Sequence, residues 1–297
     1  MNESDIPAHG LVSNADRRRT VVRRTLSSLQ LMIMIAVLVV GLGPILWTLK
    51  GAISPTDELL AEPLRPWPAS PQWGIMADAW QELRVGQYLL NTLVLVGGSW
   101  FVQIVVAATG AYALSVLRPR FGKVIYGAVL ATLFLPSSVT LVAQYMIILD
   151  LPLTGGLSIA NTPWAVWLPA GAHAFNVLIM KRFFDGIPRE LFEAAQVDGA
   201  GPWRMFWAIL LPMSKPVIAV LSLLAVMAAW KDFLWPMVAI SDTEAQPLAV
   251  ALPRLALQAE QNMLVAGLFI ALVPPVLIFI VFQRYIVRGV AFTGLKG

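Results

Sequence analysis

Residues 193–212 read Glu-Ala-Ala-Gln-Val-Asp-Gly-Ala-Gly-Pro-Trp-Arg-Met-Phe-Trp-Ala-Ile-Leu-Leu-Pro, and this stretch is the most informative in the chain. It carries the charged residues Glu193, Asp198 and Arg204, yet long apolar runs precede and follow it. Charged side chains are costly at the centre of a bilayer. A charged, amphipathic segment between two apolar runs therefore predicts a polar loop with a role at one face of a membrane.

The composition of the whole chain is that of a membrane protein. Of its 297 residues, 58% are hydrophobic and only 13% are charged, and the mean hydropathy is +0.73. Soluble domains hold about a quarter of charged residues. The sequence contains no Cys, which excludes disulfides, Cys-ligated metals and thiol catalysis. The net charge of +4 comes from basic residues at the ends of apolar runs, so it indicates membrane topology and not nucleic-acid binding.

Six apolar runs approach or exceed the length of about 20 residues that crosses a bilayer. They are residues 25–49, 89–117, 124–149, 164–180, 217–240 and 264–282. If the N-terminus is inside, the inside segments hold most of the Arg and Lys residues and the outside loops hold most of the acids. Basic residues favour the cytoplasmic side. The pattern therefore predicts an all-α, multi-pass protein of the cytoplasmic membrane, with six transmembrane helices and both termini in the cytoplasm.

The N-terminal part divides into two predicted segments. Residues 1–24 are polar and basic and are expected to form a cytoplasmic segment. A cleaved signal peptide and a twin-arginine export signal are alternatives. The apolar run at 25–49 is longer than the about 7–15 apolar residues of a signal peptide, which favours an uncleaved first helix. Residues 25–87 then comprise this helix and an outer loop, 51–87, whose many Pro and Trp residues favour a lid along the membrane–water boundary.

The local sequence of the polar loop predicts two short helices. Pro188 suits the first position of a helix, because its missing N–H would be unpaired there, and residues 189–197 then form the first helix. Gly199 suits the exit, where a positive φ costs glycine little. Pro202 can begin the second helix. Ala194 and Ala195 are small, which favours close approach by a partner.

The loop also resembles a family signature. Glu193-Ala194-Ala195, three residues, Gly199, nine residues, Ile209, one residue and Leu211-Pro212 are similar to the EAA loop of permease subunits in ATP-driven importers. Six further stretches resemble the shorter, six-span permease of maltose-type carbohydrate importers: residues 91–93, 111–114, 181–184, 187–191, 233–236 and 282–285. The resemblance implies the permease fold of type I ABC importers over residues 88–297, with a cytoplasmic coupling loop at 188–212.

In that family the loop docks into an ATPase subunit. The resemblance implies ATPase-coupling roles for Glu193, Ala194, Ala195, Asp198, Gly199, Ile209, Leu211 and Pro212. It implies a second permease subunit, an ATPase dimer, an extracytoplasmic solute-binding protein and a sugar substrate as partners, all in a lipid membrane. The chain has no G-x-x-x-x-G-K-[ST] motif, so ATP and Mg²⁺ are expected on the ATPase, and neither a cofactor nor a metal in this chain.

The candidate translocation path rests on polar residues within the apolar runs, which tend to face the interior of a helix bundle. They are Gln144, Asn176, Trp230, Lys231 and Asp232. Lys231 departs from the family pattern, which has a neutral polar residue, often Asn, at this place. It either snorkels to the outer boundary as an anchor or contacts solute at the outer end of the path.

These observations together predict a permease subunit that moves a sugar, a di- or oligosaccharide, by alternating access driven by a separate ATPase. One alternative is the same architecture importing a polyol or a glycerophosphate-type solute. A remote alternative is an ion-coupled secondary transporter, which would use a midplane carboxylate and often an internal repeat. Hydrolase motifs such as H-E-x-x-H and G-x-S-x-G are absent from the sequence, so no enzymatic reaction is expected.

Overall fold

The computed structural model describes residues 20–293, and within this range all regular secondary structure is helical. The basic segment at 17–19 and Lys296, both used in the topology prediction, lie outside the described residues. The α-helices are α1 (Thr20–Ala52), α2 (Thr56–Ala61), α3 (Gly74–Glu82), α4 (Val85–Tyr112), α5 (Gly122–Thr132), α6 (Ser137–Leu149), α7 (Trp164–Gly171), α8 (Ala174–Asp185), α9 (Arg189–Val197), α10 (Pro202–Arg204), α11 (Leu211–Met213), α12 (Lys215–Lys231), α13 (Leu234–Ala239), α14 (Leu248–Leu255) and α15 (Gln261–Thr293).

Three helical stretches in the described range are long and apolar enough to cross a membrane alone: Arg24–Ala52, Val85–Leu117 and Gln261–Gln283. The second consists of α4 and a π-helical turn, Ala113–Leu117, that continues it. A fourth candidate is a broken span, in which Pro202–Met213 meets α12 at an angle of 76°. The all-α membrane class is thus confirmed, whereas the count of six spans stays a prediction.

The other predicted spans differ from continuous helices, because each is interrupted. The run at 124–149 breaks between α5 and α6, where Pro136 has extended dihedrals (φ −61°, ψ 135°) before α6 begins. The run at 164–180 breaks at residues 172–173, after a proline in the last turn of α7. The run at 217–240 breaks at Asp232, which is extended (φ −68°, ψ 119°). A proline removes a helical donor and crowds the preceding turn, which accounts for the break before Pro136.

Helix α4 is the central element of the bundle, since it packs against α7, α8 and α12. Around its C-terminal end lies a core cluster that includes Ala108, Tyr112, Met180 and Phe184. A second cluster joins the start of α4 to α3, α14 and α15 through Val85, Tyr88, Leu248 and Ala266 among others. The two clusters fix the two ends of α4.

The predicted outer loop after α1 is folded and contains α2 and α3. Lys50, at the end of α1, is only 2% exposed. Its Nζ donates to the backbone carbonyls of Glu62 and Pro63, at 3.3 and 3.4 Å. Trp47 Nε1 also donates to the Pro63 carbonyl, at 3.2 Å. A buried ammonium needs hydrogen-bond partners, and Lys50 therefore fastens the loop over the end of the first helix.

Candidate functional site

A cavity of about 1060 Å³ lies between the interrupted helices. Its walls come from α4, from α6 and the segment before it, and from the regions around the breaks between α7 and α8 and between α12 and α13. The lining is mostly apolar and aromatic. The polar residues that line it include Thr92, Ser99, Gln103, Thr140, Gln144, His173, Lys231, Asp232 and Trp235. An apolar cavity with a few polar groups is the usual form of a small-molecule site.

The break between α12 and α13 places two charges at the cavity wall. Lys231 is the last residue of α12, where a cation is stabilised by the negative end of the helix dipole. Asp232 follows in extended conformation, and its Oδ1 accepts from the backbone N–H of Trp235, at 3.5 Å, in the first turn of α13. Lys231 has an exposed side chain and no hydrogen-bond or ion-pair partner among the described residues. Among the described residues, Lys231 is therefore an unpaired cation at the cavity wall.

Some polar side chains at the cavity wall are occupied by protein contacts. The Thr92 hydroxyl donates to the Tyr88 carbonyl and accepts from the Leu248 N–H, at 2.7 and 2.9 Å. Gln103 Oε1 accepts a hydrogen bond from Asn176, at 2.9 Å. By contrast, the buried Ser99 hydroxyl has no partner within the part of the chain that the structure describes.

The structure brings three of the five predicted path residues together. Gln144, Lys231 and Asp232 all line the cavity. Asn176 does not line it, because its side chain is 2% exposed and is used by the bond to Gln103. Trp230 is also absent from the cavity wall. A polar residue in an apolar run is expected to face the bundle interior, and Asn176 does. This rule does not tell whether such a residue bonds another helix or contacts a solute.

The polar loop has the predicted helix geometry. Helix α9 runs from Arg189 to Val197, and Gly199 follows with φ +77°. The N–H groups of Gly199 and Ala200 donate to the carbonyls of Gln196 and Ala195, at 3.0 and 2.8 Å. These two bonds form a Schellman motif, which requires a left-handed residue at this place.

The second half of the loop also begins where the sequence predicts. Pro202 starts α10, which continues through a π-helical turn, Met205–Leu210, into α11. Pro188 differs slightly from expectation: it is the N-cap residue before α9 (φ −55°, ψ 133°) and not the first helical residue.

One face of the loop packs tightly on the bundle. Phe192, Met205, Phe206 and Leu210 are buried in the same cluster as Met180 of α8 and Ala108 of α4. The Tyr112 hydroxyl donates to the Pro202 carbonyl at 2.8 Å. The loop is thus joined to α4 and α8 by an apolar core and by a hydrogen bond.

The predicted coupling residues fall on both faces of the loop. Glu193, Ala194, Asp198, Gly199 and Pro212 are exposed, whereas Ile209 and Leu211 are half-buried against the core cluster. Ala195 is 8% exposed and packs into the chain's own core, so the close approach observed at this residue is to the bundle, and its ATPase-coupling role stays a prediction. Its small side chain allows α9 to approach the bundle.

A smaller cavity of about 220 Å³ lies behind α9. It is lined by Glu193 and Gln196 from α9, by Arg118 after the π-helical turn, and by Asp185 at the end of α8, together with Ser115, Val116, Phe184, Ile187, Arg189 and Phe192. The sequence did not predict the contacts that Ser115, Arg118, Tyr112 and Asp185 make in this region. Only the spacing of Lys181 and Asp185, four residues apart on one helix, could have predicted an ion pair here.

Membrane-spanning helices around a cavity, joined to a helical loop at one face, define a membrane permease. Residues 103–292 match the family described as the binding-protein-dependent transport system inner membrane component. Because this is well over half of the chain, the protein belongs to that family, and it is a membrane permease component of a binding-protein-dependent transporter.

Individual relatives agree with this assignment. The chain is 28% identical over 283 residues to the diacetylchitobiose uptake system permease protein NgcG of Streptomyces coelicolor, covering 94% of this chain and 90% of the relative. It is 27% identical over 266 residues to the sn-glycerol-3-phosphate permease protein UgpE of Pectobacterium atrosepticum, covering 85% and 92%. The fold is similar to a chain of a bacterial ABC transporter that imports the acidic polysaccharide alginate, with TM-score 0.76, 20% identity, and 93% and 99% coverage.

Proposed function

We propose that this chain is the six-span permease subunit of an ATP-driven importer for a sugar, a di- or oligosaccharide, with both termini in the cytoplasm. A separate ATPase dimer docks on loop 188–212 and carries ATP and Mg²⁺, while this chain performs no reaction itself. A second permease subunit completes the path, and an extracytoplasmic binding protein delivers the sugar. The spans rock between inward-open and outward-open states. Membership of a binding-protein-dependent family argues against a stand-alone ion-coupled transporter.

One observation carries this proposal: the loop packs on the two helices that also wall the cavity. Phe192 and Phe206 of the loop contact the cluster formed with α4 and α8. Farther along α4, Ser99 and Gln103 line the cavity, and His173 lines it just before α8 begins. A packed protein interior resists compression and transmits displacement. A partner that moves the loop therefore moves two walls of the cavity.

The exposed face of the loop has the chemistry of a docking surface. Val197, Trp203 and Trp207 are 88%, 73% and 63% exposed. Large apolar side chains on a surface indicate an interaction site, and Trp is enriched at the energetic centres of interfaces. The carboxylates of Glu193 and Asp198 are exposed on the same loop and offer charge-assisted hydrogen bonds to basic groups of an ATPase.

The cavity supports a sugar as solute. Its volume of about 1060 Å³ is slightly above the range of ligand pockets for drug-sized molecules, about 300–1,000 Å³. Phe175, Phe233 and Trp235 line it beside the amide of Gln144. Aromatic faces suit the C–H faces of a pyranose ring, and amides pair with its hydroxyls. The relative NgcG, whose name specifies diacetylchitobiose, supports the same solute class.

Uptake measurements test the proposal. The tagged chain, purified with the subunits that remain bound to it, is reconstituted into vesicles with the binding protein encoded beside it. We expect uptake of labelled di- or oligosaccharides that requires both ATP and the binding protein. Uptake driven by an ion gradient without ATP, or retention of no ATPase by the chain, would contradict it.

A polyol or glycerophosphate-type solute is the second candidate, favoured by the free ammonium of Lys231 at the cavity wall. The relative UgpE is named for sn-glycerol-3-phosphate. Lys231→Asn restores the neutral residue type expected from the family pattern. If Lys231 contacts an anionic solute, this variant should raise the concentration for half-maximal uptake severalfold at equal expression. Unchanged uptake would identify Lys231 as an anchor at the outer boundary.

A further inference from the structure

Five side chains meet near the polar loop, at the end of α8, in the segment that follows α4 and in α5. The Ser115 hydroxyl, in the π-helical turn after α4, donates to Asp185 Oδ1 at 2.6 Å. Lys181 Nζ donates to the other carboxylate oxygen, Oδ2, at 2.6 Å, and lies 5.0 Å from the ring centroid of Tyr126 in α5. Arg118 Nε donates to the Ser115 carbonyl at 2.8 Å. We call these residues the Asp185 cluster.

The Asp185 cluster joins three elements at one point. Asp185 is the last residue of α8, and α9 begins at Arg189 only four residues later. Its two carboxylate oxygens bind different elements, one in the extension of α4 and one in α8 itself. Lys181 extends the connection to α5 through Tyr126. A displacement of α9 would therefore reach α8 first at Asp185, the residue that also binds Ser115 in the extension of α4.

The electrostatics of the cluster favour an ionised Asp185. Partial burial opposes its charge, but the hydrogen bonds from Lys181 and Ser115 and the charges of Lys181 and Arg118 outweigh burial, so the pKa of this carboxyl lies below its ordinary value. Ser115 is only 6% exposed, which keeps its hydrogen bond away from water. The Lys181–Asp185 pair is partly exposed, with side-chain exposures of 18% and 39%, and such pairs stabilise a fold weakly. Removing the carboxylate should therefore leave the chain folded.

We propose that Asp185 is a positioning residue of the transport cycle, which fixes the end of α8 to the extension of α4 so that a movement of α9 displaces both helices together. This inference rests on the proposed coupling of loop 188–212 to an ATPase. Without the carboxylate, only the apolar core would transmit the movement of α9 and α8 to this end of α4, and α4 would follow α8 less completely. The cavity would then open incompletely while ATP is still hydrolysed.

The ratio of solute transported to ATP hydrolysed tests this role, because a purely structural residue would change the amount of complex and not the ratio. In reconstituted vesicles, Asp185→Ala and Ser115→Ala should each lower the ratio about fivefold or more, the lower end of typical coupling between linked sites. Since both remove the same hydrogen bond, the double variant should be no worse than Asp185→Ala. Asp185→Glu, which keeps two acceptor oxygens, should recover most of the ratio. Arg182→Gln is the matched control, since Arg182 is exposed beside Lys181 and has no partner among the described residues.

A cross-link gives a second test, and it is unambiguous in a chain without Cys. Ser115→Cys with Asp185→Cys removes the hydrogen bond, and a short reducible bis-thiosulfonate then joins the two positions covalently. We expect a low ratio in the unlinked variant and a restored ratio after linking. Loss of transport on linking would show that α4 and α8 separate during the cycle and would overturn the inference, as would an unchanged ratio in Asp185→Ala. If the unmodified complex shows no ATP-dependent uptake, the proposed function itself fails.

Discussion

The side-chain amide of Asn176, in α8, donates a hydrogen bond of 2.9 Å to Gln103 Oε1, in α4, and the two residues are 2% and 6% exposed. Asn176→Leu should destabilise the protein by about 0.6 kcal/mol, and by at most about 1.7 kcal/mol, the range for hydrogen bonds between membrane helices. The variant leaves Gln103 without its partner. Reversible unfolding in detergent micelles measures the change. Asn176→Leu with Gln103→Leu should recover stability, and a double variant less stable than both single variants would contradict the pairing.

Replacing two glycines of the polar loop by alanine should change the stability of the protein in opposite directions. A Cβ on Gly199 or on Gly201 would meet no atom within 4 Å, so sterics with neighbours do not distinguish them. Gly199 has φ +77°, whereas Gly201 has φ −71°. Gly199→Ala should cost roughly 1–2 kcal/mol of left-handed backbone strain, and Gly201→Ala should stabilise by about 0.4–1 kcal/mol. The change in Tm of each variant measures these effects. Equal changes in the two variants would show that the φ of the glycine does not determine the effect of alanine.

Combining Glu193→Ala with Gly199→Val tests the coupling loop directly. The valine is β-branched at a residue with positive φ, so it should distort the turn after α9. The lost Glu193 carboxylate removes a charge-assisted contact, a type worth about 1.5–3 kcal/mol. We expect the protein to remain in the membrane but to lose its ATPase on purification, while sugar binding by the extracytoplasmic protein stays normal. Full transport with normal ATPase retention would show that the loop is only a linker.

Membrane topology can be checked with two equally exposed single cysteines. Val197 in the polar loop and Leu64 in the outer loop are 88% and 89% exposed. An impermeant maleimide added to intact cells should label Leu64→Cys and spare Val197→Cys, because basic residues place the polar loop in the cytoplasm. In cells without the ATPase, which would otherwise cover Val197, both should react after permeabilisation. Labelling of Val197→Cys from outside would overturn the predicted orientation.

Asp185 should contribute to stability at neutral pH and not in acid. Its pKa in the folded protein is depressed, so its contribution is fully present above the unfolded value of about 3.9 and is lost as pH falls through the folded value. The difference in Tm between the wild type and Asp185→Ala should stay constant from about pH 6 to 8 and shrink below about pH 4. A difference that grows in acid would mean that the carboxyl is protonated when folded.

The sequence predicted local structure well where the chemistry is local. The bounds of α9, the positive φ of Gly199 and the helix start at Pro202 follow from capping and proline rules that act within a few residues. The apolar runs likewise predicted the long helices α1, α4 and α15. Hydropathy carries no information about backbone dihedral angles, however. It could not show that Asp232 would be extended in the middle of an apolar run.

Contacts between distant residues were not predictable in the same way. Whether Ala195 faces a partner or its own core depends on which side of α9 meets the bundle, and this is fixed by Phe192 and Met180 packing together. The bond between Ser115 and Asp185 joins residues that no motif relates. Lys231 was singled out because it departs from a family pattern, and it does line the cavity.

The packing of α1 has a consequence for biosynthesis. The end of α1 lies against α15, so closely that a Cβ on Gly51 would be 2.8 Å from Val265, while most of its apolar surface is exposed, as at Met32 and Val40. Because α15 comes much later in the chain than α1, the end of α1 gains this contact only after α15 has been made. Until then α1 must be held by lipid or by the insertion machinery. A truncation that removes α15 should consequently leave α1 inserted but unpaired, a target for membrane proteases.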